Sequence, residues 1–192
     1  MMSDNYRHAR EIARRIASRH AEPLFYRKQR DACVQSRRWF DESEAVTACM
    51  ALVKEQPSSY GHGLSHAEKV AVDAGAIIII EEGKRRPENE PARLVRLAHL
   101  AGLLHDIERS RADHAVRGAR AAVGILRTLQ LAGDEICAIA DAIRNHEAFQ
   151  PCDALEEETA QLLSDALYDA DKFRWGPDNF TDMLWDMLSL RP

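Results

Sequence analysis

The segment AGLLHDIER, residues 101–109, predicts a buried helix that carries a His-Asp pair, His105 and Asp106. Over a helix expected from about Arg93 to Glu108, apolar residues recur at spacings of three and four, which places them on one face. That face consists of Leu94, Leu97, Ala98, Ala101, Leu104 and His105. His105 is therefore expected to point into the protein, with a carboxylate next to it.

A buried imidazole beside a buried carboxylate has an energetic cost, because both groups lose water and the carboxylate keeps an unpaired charge. A bound cation would offset that cost. For a His-Asp pair considered alone, the simpler explanation is a hydrogen-bonded core histidine next to an aspartate that caps the helix or faces water. The pair by itself leaves both alternatives open.

Other histidines favour the cation. Ser65 and Glu68 form a capping-box pattern, which predicts a helix that begins at His66 and places this histidine in its first turn. A second apolar stripe, formed by Ile136, Ile139, Ile143 and His146, carries its histidine inward as well. Three predicted helices therefore direct imidazoles toward one core.

These residues form a dispersed signature that resembles a known family. A histidine at His66, the pair His105-Asp106 and a distant aspartate at Asp171 occur in that order, within GHGLSHAEKV (residues 61–70), AGLLHDIER and YDADKF (residues 168–173). In this order and context they resemble the HD-domain superfamily of metal-dependent phosphohydrolases. The resemblance covers about Gly61 to Phe173, which is more than half of the chain.

The resemblance implies a metal site. It assigns a first metal ion to His66, His105, Asp106 and Asp171, and it alone favours Asp171 over the neighbouring Asp169. His114 and His146 resemble the extra ligands of relatives with two metals; the alternative makes them a helix-start residue and a neutral core group. Mixed nitrogen and oxygen ligands suit Mn²⁺, Fe²⁺, Co²⁺, Ni²⁺, Zn²⁺ or Mg²⁺, so one or two divalent ions of unknown identity are expected.

The implied reaction is hydrolysis of a phosphoester or phosphoanhydride by a metal-activated water, with Asp106 as a catalytic residue. His62, in the loop Gly-His-Gly, is a second candidate that would orient substrate or protonate the leaving group, unless it is a simple turn residue. Lys69, Lys172 and Arg174 flank the expected ligands and are either phosphate contacts or surface charges. The expected substrate is a small phosphorylated molecule, in particular a nucleotide.

The chain departs from some relatives. Alarmone hydrolases carry an acidic pair just after the signature, where this chain has Arg109 and Ser110. Two other functions stay open: a di-iron HD-type oxygenase, which needs a full histidine set that includes His114 and His146, and a non-catalytic ligand-binding HD module.

Composition predicts an all-α fold. The chain has 192 residues, 45% of them hydrophobic, with few aromatics and no alternation of strands and helices. We expect a single-domain helical bundle of the HD type over residues 1–192: N-terminal helices (1–60) pack on an HD core with the metal site (61–175), followed by a C-terminal helix (176–192). Helices are predicted at residues 4–19, 41–55, 66–82, 92–107, 114–130, 134–147, 155–170 and 178–189.

Charge and cysteine usage limit the partners and the compartment. A net charge of −5 makes nucleic acid an unlikely partner. The run of isoleucines at 77–80 is too short to span a bilayer, so no membrane association is expected. Four cysteines without C-x-x-C spacing, and no secretory leader, predict a cytoplasmic protein. An apolar face on the last helix, formed by Met183, Leu184, Met187 and Leu188, is expected to pack on the core or to form a homo-oligomer.

Overall fold

The computed structural model describes residues 4–54, 63–85 and 91–172, together with 180, 181 and 185. The described residues form helices joined by turns, with no strand among them, which confirms the all-α class. That the bundle is of the HD type stays a prediction. In chain order the helices are α1 (Asp4–Ala17), α2 (Leu24–Lys28), α3 (Arg30–Glu42), α4 (Glu44–Lys54), α5 (Gly63–Arg85), α6 (Ala92–Leu104), α7 (His114–Thr128), α8 (Gly133–Asn145) and α9 (Glu158–Lys172).

Helix α6 is the centre of the bundle. It packs against α5 most extensively and also contacts α3, α4, α7, α8 and α9. Ten of its 13 residues are buried, including all the apolar residues of the predicted face. Because neighbours enclose α6 on all sides, burial extends beyond the single stripe that the periodicity predicted.

Helices α5 and α6 approach each other closely because small residues line their contact. Ala67, Ala71 and Ala74 of α5 are buried at helical spacing. A Cβ added at Gly102 of α6 would lie 2.4 Å from the Cα of Ala71, so only glycine fits there. This contact fixes the position of the α6 end that leads into His105.

A second close contact surrounds His99, a histidine that the sequence did not single out. The Ser36 hydroxyl donates to the Val72 carbonyl at 2.7 Å and lies 3.0 Å from His99 Nε2. Since the hydroxyl has one proton to donate, His99 Nε2–H must donate to Ser36. A Cβ at Gly75 would lie 2.4 Å from both side chains. His99 is thus a structural core residue on α6, wedged between α3 and α5.

Several predicted helix boundaries are wrong. Helix α6 ends at Leu104, not near Glu108, and His105 and Asp106 belong to the turn that follows. Helix α5 begins at Gly63 rather than His66, because Leu64 packs on the core and adds the earlier turn. Ser65 and Glu68 therefore lie inside the helix, and the predicted capping box does not form its start.

The remaining differences from the predicted helices concern α2, α3, α8 and α9. Helices α2 and α3 lie mostly where no helix was predicted, since only Ser36 and Phe40 of α3 are buried and its basic face hides the periodicity. Helix α8 begins at Gly133, predicted as a break, because the Glu135 carboxylate accepts a hydrogen bond from the Ala132 amide at 3.0 Å. Helix α9 is displaced toward the C-terminus, to Glu158–Lys172, where the Glu157 carboxylate accepts from the Ala160 amide at 2.6 Å.

Among the N-terminal helices, α3 packs on α5 and α6, and α4 packs on α6. Near the C-terminus, Thr181 accepts a hydrogen bond from Arg10 Nε at 3.0 Å, and Trp185 packs edge-on against Tyr6. The residues of the predicted apolar face lie outside the described residues, so the homo-oligomer stays a prediction; they are Met183, Leu184, Met187 and Leu188. Within the described ranges, every helix is too short or too polar to cross a membrane.

Candidate metal centre

Three helices bring His66, His105 and Asp171 together. His66 is in the first turn of α5, Asp171 is in the last turn of α9, and His105 directly follows α6. Asp171 Oδ1 lies 3.2 Å from His66 Nε2 and 3.7 Å from His105 Nε2. Asp169, the alternative ligand, is exposed on the other side of α9 and is not part of this group.

A second group shares His105 with the first. Asp106 Oδ2 lies 3.4 Å from His105 Nε2, and Asp106 Oδ1 lies 3.4 Å from His146 Nε2. Within each group of three, the potential ligand atoms are all within 4.8 Å of one another. The four ligands predicted for one ion are therefore divided between two overlapping groups, and His146, predicted only as an extra ligand, belongs with Asp106.

His105 and His146 have equivalent positions and hydrogen bonds. Each is the first residue after the last residue of its helix. His105 Nδ1 donates to the Gly102 carbonyl at 2.8 Å, and His146 Nδ1 donates to the Ile143 carbonyl at 2.6 Å. Since a carbonyl can only accept, the Nδ1 proton is fixed and Nε2 faces the site. Both Nε2 atoms are fully buried, and neither makes a hydrogen bond to any described residue.

The spacing of these atoms fits a metal ion. Ligands about 2.1 Å from an ion, the usual distance for Zn²⁺ and similar metals, lie about 3.0–3.4 Å apart when they are adjacent. The observed separations of 3.2, 3.4 and 3.7 Å are close to that range. Backbone hydrogen bonds to Nδ1 are also typical of histidines that bind metals through Nε2. The buried histidine and aspartate side chains could therefore hold a metal ion.

The electrostatics of the cluster also favour a cation. Burial alone would lower the pKa of His105, but the carboxylates of Asp106 and Asp171 outweigh it and raise this pKa to about 9. Burial would raise the pKa of Asp171, yet His66, His105 and Lys172 hold it well below its usual range. Burial lowers the pKa of His66, which keeps that ring neutral. Asp171 thus stays ionised, and without an ion the positive charge at this position is the proton on His105 Nε2, which a bound cation would displace.

Helix orientation adds to this preference. Helices α6, α8 and α9 all end at the cluster, at His105, His146 and Asp171. The carboxyl end of a helix carries partial negative charge, which stabilises a nearby cation. Helices α5 and α7 begin there and oppose the effect, so the helix ends make a smaller contribution than the two carboxylates.

His114 reaches the cluster but is already engaged. As the first residue of α7, it follows Asp113, whose φ of 53° turns the chain into the helix. Its Nε2 lies 3.8 Å from Asp106 Oδ1 and accepts a hydrogen bond from Arg109 Nη1 at 2.9 Å. Burial, and then the charge of Arg109, lower the pKa of His114. His114 belongs to neither group of three potential ligands.

Two residues at the site were not predicted from the sequence. Arg109 Nη1 lies 3.6 Å from Asp106 Oδ1, and Glu147 Oε2 lies 3.7 Å from His114 Nδ1. Arg109 is three residues after Asp106, and Glu147 directly follows His146, so proximity in sequence to the expected ligands was the available signal. Neither residue type is specific enough to have been chosen on that basis.

The predicted phosphate contacts have different environments. Lys172 Nζ pairs with Asp171 Oδ2 at 2.5 Å and therefore neutralises a potential ligand. Lys69 lies on α5 about one turn after His66 and is partly buried. His62 and Arg174 lie outside the described residues, so their predicted roles stay predictions.

The chain matches no protein-family model, no curated protein and no solved structure. Its site is therefore interpreted from its own geometry and chemistry.

Proposed function

We propose that this chain is a metal-dependent phosphohydrolase of the HD type that cleaves a phosphoester or phosphoanhydride bond in a small phosphorylated molecule, in particular a nucleotide. The observation that carries the proposal is the pair of buried Nε2 atoms of His105 and His146. Each has its other nitrogen committed to a backbone carbonyl, and its Nε2 makes no hydrogen bond to any described residue.

Leaving such polar atoms unsatisfied in a protein core costs about 1–3 kcal/mol each. A divalent cation offsets that cost, because it accepts electron pairs from both imidazoles and balances the charges of Asp106 and Asp171. His66, His105 and Asp171 would hold it from one side, and Asp106 and His146 are positioned to complete its coordination. When bound, such an ion supplies Lewis acidity. It lowers the pKa of water, so that water can lose a proton and attack near neutral pH, and it polarises a phosphoryl oxygen.

The chain's own residues supply the remaining chemistry. Asp106 Oδ1, at the meeting point of His146, His114 and Arg109, is positioned to accept the proton of the attacking water. The new P–O bond forms from that water, the bond to the leaving oxygen breaks, and the leaving oxygen takes up the proton that Asp106 accepted. Arg109 offers N–H donors to the phosphoryl oxygens, the pairing for which guanidinium geometry is suited.

Metal content and phosphate release test this proposal together. We expect the purified protein to retain a divalent metal through dialysis, as measured by plasma mass spectrometry, and to release phosphate from members of a nucleotide and phosphoester panel with added Mn²⁺, Co²⁺, Ni²⁺ or Mg²⁺. His105→Ala and His146→Ala should lose both properties. His20→Ala is the matched control, because His20 is exposed and far along the chain from the site.

Three results would contradict the proposed phosphohydrolase in different ways. Metal that persists at the wild-type level in His105→Ala would show that the cluster is not the metal site. Bound metal without phosphate release, lost in the same variants, would leave a metal site with another function; two irons per chain with oxygen consumption would indicate the oxygenase.

A further inference from the structure

We propose that Arg109 is a built-in cation that takes the place of a second metal ion, so that the site binds one divalent ion per chain. This inference rests on the proposed metal site, and it goes beyond it because the histidine set alone is compatible with one ion or with two. The guanidinium of Arg109 lies between His114 and Asp106, and the inference rests on this position.

The number of available lone pairs limits how many ions the cluster can bind. His105 Nδ1 donates to the Gly102 carbonyl, so His105 has a single lone pair, on Nε2, and can bind one ion only. With a first ion on His66, His105 and Asp171, a second ion would have to take over His146 Nε2 and bind it together with Asp106 Oδ1 and His114 Nε2. These converge: Asp106 Oδ1 lies 3.4 Å from His146 Nε2 and 3.8 Å from His114 Nε2.

Arg109 lies against two of these three atoms. Its Nη1 lies 2.9 Å from His114 Nε2 and 3.6 Å from Asp106 Oδ1. A guanidinium can only donate hydrogen bonds, so His114 Nε2 must accept, and its lone pair is used. The proton of the neutral ring then lies on Nδ1, which faces Glu147 Oε2 at 3.7 Å. A metal ion would need the same lone pair, so Arg109 and a second ion exclude each other at His114.

The positive charge of Arg109 also disfavours a second ion. The guanidinium is positive at every pH of interest. A second divalent ion at this position would lie within a few ångströms of it in a poorly solvated environment, where repulsion between like charges is strong. The ligand atoms of His66, His105 and Asp171 lie within 4.8 Å of one another, whereas the guanidinium of Arg109 is engaged by His114 and Asp106.

The test is the number of Mn²⁺ ions bound. Wild-type protein, Arg109→Gln and Arg111→Gln are loaded with excess Mn²⁺, passed through a desalting column, and analysed by plasma mass spectrometry. Arg111 is the matched control, because it lies on the same turn with its side chain exposed. We expect one Mn²⁺ per chain for the wild type and for Arg111→Gln, and two for Arg109→Gln. Electron paramagnetic resonance should show an exchange-coupled Mn²⁺ pair in Arg109→Gln alone.

A double variant, Arg109→Gln with His114→Ala, should return the count to one, which ties the second ion to the ligand that Arg109 releases. Arg109→Ala, checked for folding by circular dichroism, provides an independent side-chain truncation with the same expected count of two. Two ions in the wild type, or one ion in both Arg109 variants, would overturn the inference while the proposed metal site stands. No ion in the wild type would overturn both.

Discussion

Gly102→Ala should destabilise the protein, even though alanine is the better helix former. The added Cβ would lie 2.4 Å from Ala71 Cα and 2.6 Å from Ala71 N, whereas ordinary contacts are 3.4–4 Å. Helices α5 and α6 would therefore have to separate by about 1 Å, the difference between 2.4 Å and 3.4 Å. The obstructing atoms belong to the backbone, so no side-chain rotation relieves the clash.

The two opposing effects can be compared in magnitude. Overpacking a core costs about 1–3 kcal/mol, and a backbone obstacle at the largest helix contact indicates the upper end. Replacing glycine by alanine inside a helix gains at most about 1 kcal/mol. We expect a net loss of about 2 kcal/mol, which is a substantial part of a typical unfolding free energy of about 5–15 kcal/mol.

Urea unfolding followed by circular dichroism measures this loss, with Gly124→Ala as the matched control. Gly124 is also inside a helix, α7, but a Cβ there meets nothing within 4 Å, so alanine should stabilise the protein by about 0.5–1 kcal/mol. The Gly102 carbonyl also accepts the His105 Nδ1 hydrogen bond, so Gly102→Ala should weaken metal binding as well. A Gly102→Ala protein as stable as the wild type would refute the close packing of α5 and α6.

Three further predictions concern ionisation and metal binding. Burial lowers the pKa of His99 from 6.5 to about 3, so the unfolded chain binds the proton more readily and stability falls as pH drops below 6.5; between pH 7.5 and 5 the wild type should lose about 2 kcal/mol more than His99→Gln in urea titrations, and equal losses would contradict a neutral core histidine. Burial raises the pKa of the Cys49 thiol to about 12, so Ellman's reagent at pH 8 should modify the exposed Cys137 and Cys152 in the native protein and Cys49 only after unfolding; rapid native labelling of Cys49 would count against its burial. Mn²⁺ at 100 times its dissociation constant should raise the free energy of unfolding by about 2.7 kcal/mol, and His146→Ala should abolish the increase; an unchanged increase in that variant would place the ion elsewhere.

Apolar periodicity was sufficient to predict the central helix and the inward direction of its histidine. Leu97, Ala98, Ala101 and Leu104 recur at helical spacing, and all of them are buried together with His105. The same reasoning identified the stripe that ends in His146. Burial of an apolar face is a local property of a sequence, and for that reason it could be recognised without the fold.

The end of α6 and the engagement of Arg109 could not be predicted in this way. The helix stops at Leu104 within a segment that periodicity continues to Glu108, and side-chain-to-backbone bonds such as that of His105 to Gly102 have no signature in hydropathy. The contact of Arg109 with His114 depends on the turn between them and on the positive φ of Asp113. Such contacts depend on the path of the turn, which residue type and spacing do not specify.

The bonds that His105 and His146 make to backbone carbonyls have a consequence for ion discrimination. Both rings are immobilised before any ion arrives, so binding an ion costs them little rotational entropy. A rigid set of nitrogen donors also cannot expand to the 2.3–2.6 Å oxygen-rich shell that Ca²⁺ requires. A metal ion held by this cluster would therefore be a small, nitrogen-preferring one rather than the larger, oxygen-preferring Ca²⁺.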